Sequence, residues 1–271
     1  MGRSKTAARP VTSARKDMTN APCQLVAPYR GLAPEYDDAL GRQFFVRTRD
    51  AFEHLQLHYG FGFCSAADIG CGTGIFACYL ARKWRVPVYA VDRSAEMLAQ
   101  ARRNCRGERV EVIRQDLRSL QLPTRVDLIT ANYDVLNHLV APSDMKQALQ
   151  RVHASLNPGG HFYFDLITPC LGLPPAQWTR FMRRTRRGAV WQFLLWTPRE
   201  ALLRINVMSQ RTDRPRADFE RHVERAYTPQ QIARWLLEAG FQLRGVHDEA
   251  TGEFAVRCAP RLLFLAQRIR R

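Results

Sequence analysis

The stretch Ala66-Ala67-Asp68-Ile69-Gly70-Cys71-Gly72-Thr73-Gly74 constrains the fold more than any other part of this chain. It ends a short apolar run and opens a predicted helix, so three glycines stand where the backbone must turn tightly. A side chain at such a turn would hold a ligand away from the backbone. Further apolar runs at 88–91, 110–113, 126–131 and 161–166 read as strands, and helical spacing separates several of them at 74–84, 94–105 and 143–156. In the last of these helices Met145, Leu149, Val152 and Leu156 share one face, Ser143 after Pro142 reads as the N-cap, and Pro158-Gly159-Gly160 ends the segment. Strands alternating with helices predict a parallel sheet covered on both faces, with ligands at the carboxyl ends of the strands.

The remaining segments fit around that unit. Residues 35–58 carry Leu40, Phe44, Phe45, Phe52 and Leu55 at helical spacing and lead into the sheet. The stretch 168–226 breaks the alternation with several prolines, a basic cluster from Arg180 to Arg187 and two extended runs at 190–196 and 201–208. It is read as a small antiparallel cover inserted after the fifth strand, within one domain spanning 25–271. Thr228 caps a helix that ends at Gly240, and 241–246 and 262–267 read as the last two strands. Residues 1–24, basic and without apolar periodicity, are expected to be a disordered tail.

Composition excludes several classes. Hydrophobic residues make up 46% and charged residues 24%, as in a globular chain. The longest apolar runs fall far short of the roughly 20 residues a membrane helix needs, and the N-terminus lacks the apolar core of a signal peptide. Seven cysteines form no C-x-x-C pair, so reduced thiols, a cytoplasmic location and no metal cluster are expected. The net charge of +16 invites a nucleic-acid partner. Nearly all of it is arginine, which codon bias also produces, so that partner is possible but not favoured.

Two acids follow the glycine turn in order. Asp92 ends the second strand, where a carboxylate can accept from both hydroxyls of a ribose. Asp116-Leu117 follows the third strand, where an acid can take an adenine amino group while leucine packs on the ring. The dinucleotide fingerprint G-x-G-x-x-G does not fit, because Ile75 stands where its third glycine belongs. Asp68, two residues before the first glycine, suits a ligand with a free ammonium better than a pyrophosphate.

These residues resemble the class I S-adenosylmethionine-dependent methyltransferases. Asp68 to Gly74 matches the first motif of that family, Asp92 with Arg93-Ser94-Ala95-Glu96-Met97-Leu98 the second, and Val126-Asp127-Leu128-Ile129 the fourth strand. The resemblance implies a Rossmann-like α/β sheet and S-adenosylmethionine as cofactor. It implies that Gly70, Cys71, Gly72 and Gly74 carry the methionyl end, with Asp68 on its ammonium and Asn132 offering its backbone. Asp92 and Arg93 would meet the ribose, Asp116, Leu117 and Met97 the adenine, and Tyr36, with Tyr29, would close over the cofactor.

In this fold Asn132-Tyr133-Asp134-Val135-Leu136-Asn137-His138 borders the transferred methyl group. His138 is the candidate base, because its unperturbed pKa of about 6.5 lets it accept a proton near neutrality. Tyr133 and Asn137 are candidates for orienting a substrate. The segment lacks the N-P-P-Y pattern of enzymes that methylate base amino groups. The expected activity is methyl transfer to an N or O nucleophile of a small molecule. RNA- or protein-directed methylation and a non-catalytic cofactor-binding module are the alternatives. The aromatic residues Trp178, Phe181, Trp191, Phe193 and Trp196 are candidates for lining a pocket or for filling the core of the cover.

Overall fold

The computed structural model describes residues 23–255 and 259–269. Five parallel strands form the heart of the main sheet: β2 (Ala66–Ile69), β3 (Val88–Asp92), β4 (Val110–Arg114), β5 (Val126–Ala131) and β6 (Leu156–Ile167). Two more, β11 (Phe241–Asp248) and β12 (Arg261–Arg268), complete the order β11-β12-β6-β5-β2-β3-β4, with β12 antiparallel to both neighbours. The chain reverses its direction of winding between β2 and β5, which opens a crevice at their carboxyl ends.

Alternate residues of the strands feed two cores. On one face Ile69, Ile129 and Phe162 pack with Leu149 and Val152 of α4 (Pro142–Ser155) and Ile232 and Leu236 of α5 (Pro229–Glu238). On the other face Ala66, Leu128 and Tyr163 pack with Phe52 and Leu55 of α1 (Arg42–Tyr59) and Phe76 and Leu80 of α2 (Ile75–Trp84). The helix α3 (Ala95–Asn104) follows β3, and its N-cap Ser94 accepts from Met97 N. Thr228 forms a full capping box with Gln231 at the start of α5. At α4 the cap differs from expectation: Pro142 occupies the first turn and Ala141 is the N-cap, because a proline with no amide to satisfy suits that position.

Between β6 and α5 the chain builds a second sheet, in the order β1-β10-β9-β8-β7. It holds β7 (Trp178–Thr185), β8 (Gly188–Thr197), β9 (Leu202–Arg211) and β10 (Ala217–Arg225) as an antiparallel meander, and β1 (Cys23–Leu25) adds parallel to β10. Residues 23 and 24, expected in the tail, are therefore strand, and the rest of that tail lies outside the described residues.

The cysteines depart from expectation. Cys78 of α2 and Cys105, the residue after α3, are joined in a disulfide, and Cys170 is also disulfide-bonded, while Cys23, Cys64 and Cys71 are free. The two helices lie side by side behind the glycine turn, so residues 27 apart in sequence meet there without any C-x-x-C spacing to announce it. The premise of uniformly reduced thiols fails with it. Among the described residues no helix is long and apolar enough to cross a membrane. Replacing both Cys78 and Cys105 by alanine is expected to cost about 2–4 kcal/mol through the freed loop. A lowered urea midpoint checks this, and an unchanged midpoint contradicts it.

Candidate active site

The cleft at the carboxyl ends of β2, β3, β4 and β5 collects most of the residues singled out by sequence. Asp68, Gly70, Cys71, Gly72, Asp92, Arg93, Met97, Asp116, Leu117, Asn132, Tyr133 and His138 all line it, and Tyr29 and Tyr36 close it from the N-terminal side. Its turn is held from below. Cys71 N donates to Val91 O at 3.0 Å, and Gly72 N donates to Asp92 Oδ2 at 2.9 Å. Gly70 and Gly72 have φ of +64° and +53°, where a side chain is strained. A Cβ on Gly70 would strike Val135, whereas a Cβ on Gly72 would meet nothing within 4 Å and would project into open space.

Gly74 does something else. It does not line the cleft; at φ +77° it lets α3 approach, and a Cβ there would lie 2.9 Å from Ala101 Cβ. Its glycine is required by helix packing.

Two carboxyls frame the turn. Asp92 accepts from Ser94 N at 2.8 Å as well as from Gly72 N, so both oxygens are oriented by backbone amides and keep lone pairs toward the cleft. Burial raises its pKa. Asp68 is only 2% exposed, and accepts from Thr130 Oγ1 at 2.7 Å and Asn132 Nδ2 at 3.4 Å. Burial pushes its carboxyl up to about 7, and no described cation compensates it. A ligand ammonium would restore its charge. The turn open at Gly72, the uncompensated Asp68 and the pre-oriented Asp92 together fit an adenosyl amino acid with a free amine and a ribose.

Asp116 is engaged more fully than its sequence position suggests. It caps the short turn Leu117–Ser119 by accepting from Arg118 N at 2.9 Å, and the Arg118 guanidinium, bonded to both carboxylate oxygens, holds its carboxyl below the usual range.

Beyond β5 the chain passes through two residues at positive φ, Tyr133 and Asp134. That strain is held by contacts on both sides. The Tyr133 hydroxyl donates to Phe44 O and its ring stacks on Phe44 at 4.2 Å, tying the loop to the helical approach. Asp134 N donates to Asp165 Oδ1, and Arg261 bridges Asp134 and Asp165, donating to Asp134 Oδ2 at 2.9 Å. Asn137 is fully buried, and its amide spends three hydrogen bonds on Ile167 N, Ile167 O and Arg225 O. It therefore clasps β6 to β10 and is not free to orient a substrate.

His138 sits at the end of this loop. Tyr29 Oη and His138 Nε2 are 2.7 Å apart, with the phenol as donor when Nδ1 carries the imidazole proton. Burial, aided by the charges of His222 and Arg93, pushes His138 down to about 4, so the ring is neutral above that pH. Burial, with Tyr36 and nearby acids, raises Tyr29 well above the ordinary phenol range.

Tyr29 is positioned by a buried carboxyl that sequence reading missed. Glu220 of β10 accepts from Tyr29 N, Gly31 N and Leu32 N, each at 2.7 Å, and pairs with His222 Nε2 at 2.9 Å. Glu220, His222 and Glu224 alternate along β10 and are all buried. That period of two was the available signal. None of Trp178, Phe181, Trp191, Phe193 or Trp196 lines the cleft; Trp196 is in the core of the cover and Trp178 is exposed.

The fold is that of the class I S-adenosylmethionine-dependent methyltransferases, and the cleft fits S-adenosylmethionine as cofactor. Residues 66–160 match the family model described as a methyltransferase domain. A protein of Geobacillus sp. (strain WCH70) named as a methyltransferase is 28% identical over 216 residues, 74% of this chain and 83% of that protein. The dTDP-3-amino-3,6-dideoxy-alpha-D-glucopyranose N,N-dimethyltransferase of Streptomyces fradiae is 32% identical over 96 residues, 35% of this chain and 36% of that enzyme. The solved S-adenosylmethionine-dependent methyltransferase from Clostridium acetobutylicum ATCC 824 superposes with a TM-score of 0.75 at 23% identity, covering 89% of this chain and 99% of that one.

Because burial pushes Asp68 up to about 7, binding of a cationic amine there is linked to loss of its proton. Affinity for S-adenosylhomocysteine is expected to fall by up to about tenfold per pH unit below 7. Asp68→Asn should flatten that dependence and weaken binding at pH 8 by roughly 10- to 100-fold, the loss of a charged hydrogen bond. Calorimetry across this range decides it, and a wild-type affinity independent of pH contradicts the assignment.

Proposed function

We propose that this enzyme transfers a methyl group to a nitrogen of a small-molecule acceptor bound between the β5 loop and the cover sheet. The observation that carries the reading is the Tyr29–His138 pair, which closes the far end of the cleft beyond Asn132. The amino-sugar N,N-dimethyltransferase among the relatives supports a nitrogen acceptor over an oxygen one.

In this reading Gly70, Cys71 and Gly72 present backbone to the methionyl group, with Asp68 on its ammonium and Asn132 beside it. Asp92, with Arg93 alongside, takes the ribose hydroxyls, and Asp116, Leu117 and Met97 enclose the adenine. Tyr36 closes the cleft over them. The bound sulfonium supplies an already activated methyl group, so the protein's task is alignment and exclusion of water. Val135 and Leu139 make the walls apolar, and Phe44 stacked on Tyr133 seals the N-terminal side. Tyr133, whose hydroxyl is committed to Phe44 O, shapes the acceptor wall and holds its loop.

His138 acts as the proton acceptor. It is neutral at physiological pH, and Tyr29 can pass its phenolic proton to Nε2 while taking one from the acceptor on the same oxygen. General-base help of this kind is worth about 10²–10⁴ in rate. His138→Ala is accordingly expected to lower kcat by about 10²–10⁴ while leaving the S-adenosylhomocysteine Kd within about twofold. Labelled-methyl incorporation into amine-containing small molecules measures kcat and calorimetry measures the Kd, and an unchanged kcat contradicts the role.

A further inference from the structure

Glu224 of β10 stands behind His138, with Oε1 3.6 Å from His138 Nε2. Its other oxygen, Oε2, has no hydrogen-bond partner, although the residue is only 4% exposed. A native fold seldom leaves a buried carboxyl oxygen unmatched, and such an oxygen beside the cleft is available to a partner that enters it. The surroundings say what kind of partner. Asp134, on the loop after β5, and Asp165, near the end of β6, both act on Glu224. The one guanidinium among them, Arg261, donates to Asp134 and Asp165.

Three carboxyls thus face a single cation whose hydrogen bonds go to two of them. His138 is neutral, and its neighbours His222 and Arg93 make no ion pair with Glu224. Glu224 also adds to the raised pKa of Tyr29 and of Tyr36, both of which line the cleft, so its field reaches the acceptor end.

We propose that Glu224 is the specificity-determining residue that selects an acceptor with a protonatable aliphatic nitrogen, held as the ammonium beside His138. The proposal rests on the methyl-transfer reading above and narrows it. Burial and the two neighbouring acids push the Glu224 pKa up, which favours its protonated form until an ammonium is bound. On binding, the carboxyl loses that proton to solvent and the ammonium takes its place. For transfer, one ammonium proton passes through the Tyr29 hydroxyl to His138, where the Glu224 carboxylate faces the imidazolium, and the nitrogen lone pair forms the N–C bond as the donor's C–S bond breaks, its electron pair staying on sulfur. The product leaves as an N-methylammonium. An alcohol of the same shape cannot match the carboxylate charge.

The test is calorimetry on protein saturated with S-adenosylhomocysteine, titrated with simple amines from methylamine to cyclohexylamine and with the matched alcohols. Two buffers of different ionisation enthalpy report proton release. The wild type is expected to bind at least one amine about tenfold or more tighter than its alcohol, with release of protons on binding. Glu224→Gln should lose both the preference and the proton release while still binding S-adenosylhomocysteine. Glu224→Asp should keep them, which a purely structural role would not do. Equal binding of amines and alcohols, no binding of any amine, or a preference that survives in Glu224→Gln overturns the proposal. Loss of S-adenosylhomocysteine binding by the wild type overturns the methyl-transfer reading along with it.

Discussion

The hydrogen bond from Gly72 N to Asp92 Oδ2 joins the two parts of the cofactor cleft, and the rest of the site is arranged around it. It exists because β2 and β3 run parallel with Ile69 opposite Val91, which brings the end of one strand level with the turn after the other. The same register lets Cys71 N reach Val91 O. A turn pinned by two backbone amides cannot drift, so the left-handed glycines before α2 keep their open face toward the cleft. Asp68 is fixed by the neighbouring strand instead, through Thr130 of β5. Each framing carboxyl is thus anchored to a different strand of the sheet.

The second sheet and the N-terminal segment complete the enclosure by a different device. A carboxylate inside the cover, Glu220, collects three amides, those of Tyr29, Gly31 and Leu32, from the loop that carries Tyr29, a residue itself at φ +67°. Charge-assisted bonds of this kind are about twice as strong as neutral ones and suit a backbone conformation that would otherwise relax. The helical approach is tied to the cofactor side as well, because Asp37 accepts from Thr73 Oγ1 and from Asn104 Nδ2. The loop bearing Tyr29 therefore answers to the cover, and the helix after it answers to the glycine turn. The acceptor end lies between these two anchors.

Most of the main sheet was legible in sequence, because parallel strands buried on both faces read as short apolar runs between helices of clear periodicity. The strands at 66–69 and 126–131 agree to the residue with β2 and β5. The glycine turn and its two acids were equally legible, since they depend on local chemistry at strand ends. The cover was read only in part. The expected run 190–196 lies within β8 and the run 201–208 overlaps β9 from Leu202 onward, but β7 and β10 went unrecognised. β10 hides a polar inner face, Glu220, His222 and Glu224, behind an outer face holding Arg221 and Val223. That inverts the hydrophobic-in pattern by which strands are recognised. The Tyr29–His138 contact spans 109 residues and the Arg261–Asp134 pair spans 127, so neither leaves any spacing signal. Gly74 shows the opposite case: its place in the motif was visible, but its reason, the approach of Ala101, was not.

The central claim is that the open face of the turn at Gly72 is the seat of an adenosyl amino acid. Calorimetric titration of S-adenosylhomocysteine into the wild type and into Gly72→Leu tests this most directly. The account predicts one site per chain in the wild type and a loss of affinity of about 100-fold or more in the variant, whose side chain fills the seat. No binding by the wild type, or undiminished binding by Gly72→Leu, would contradict it.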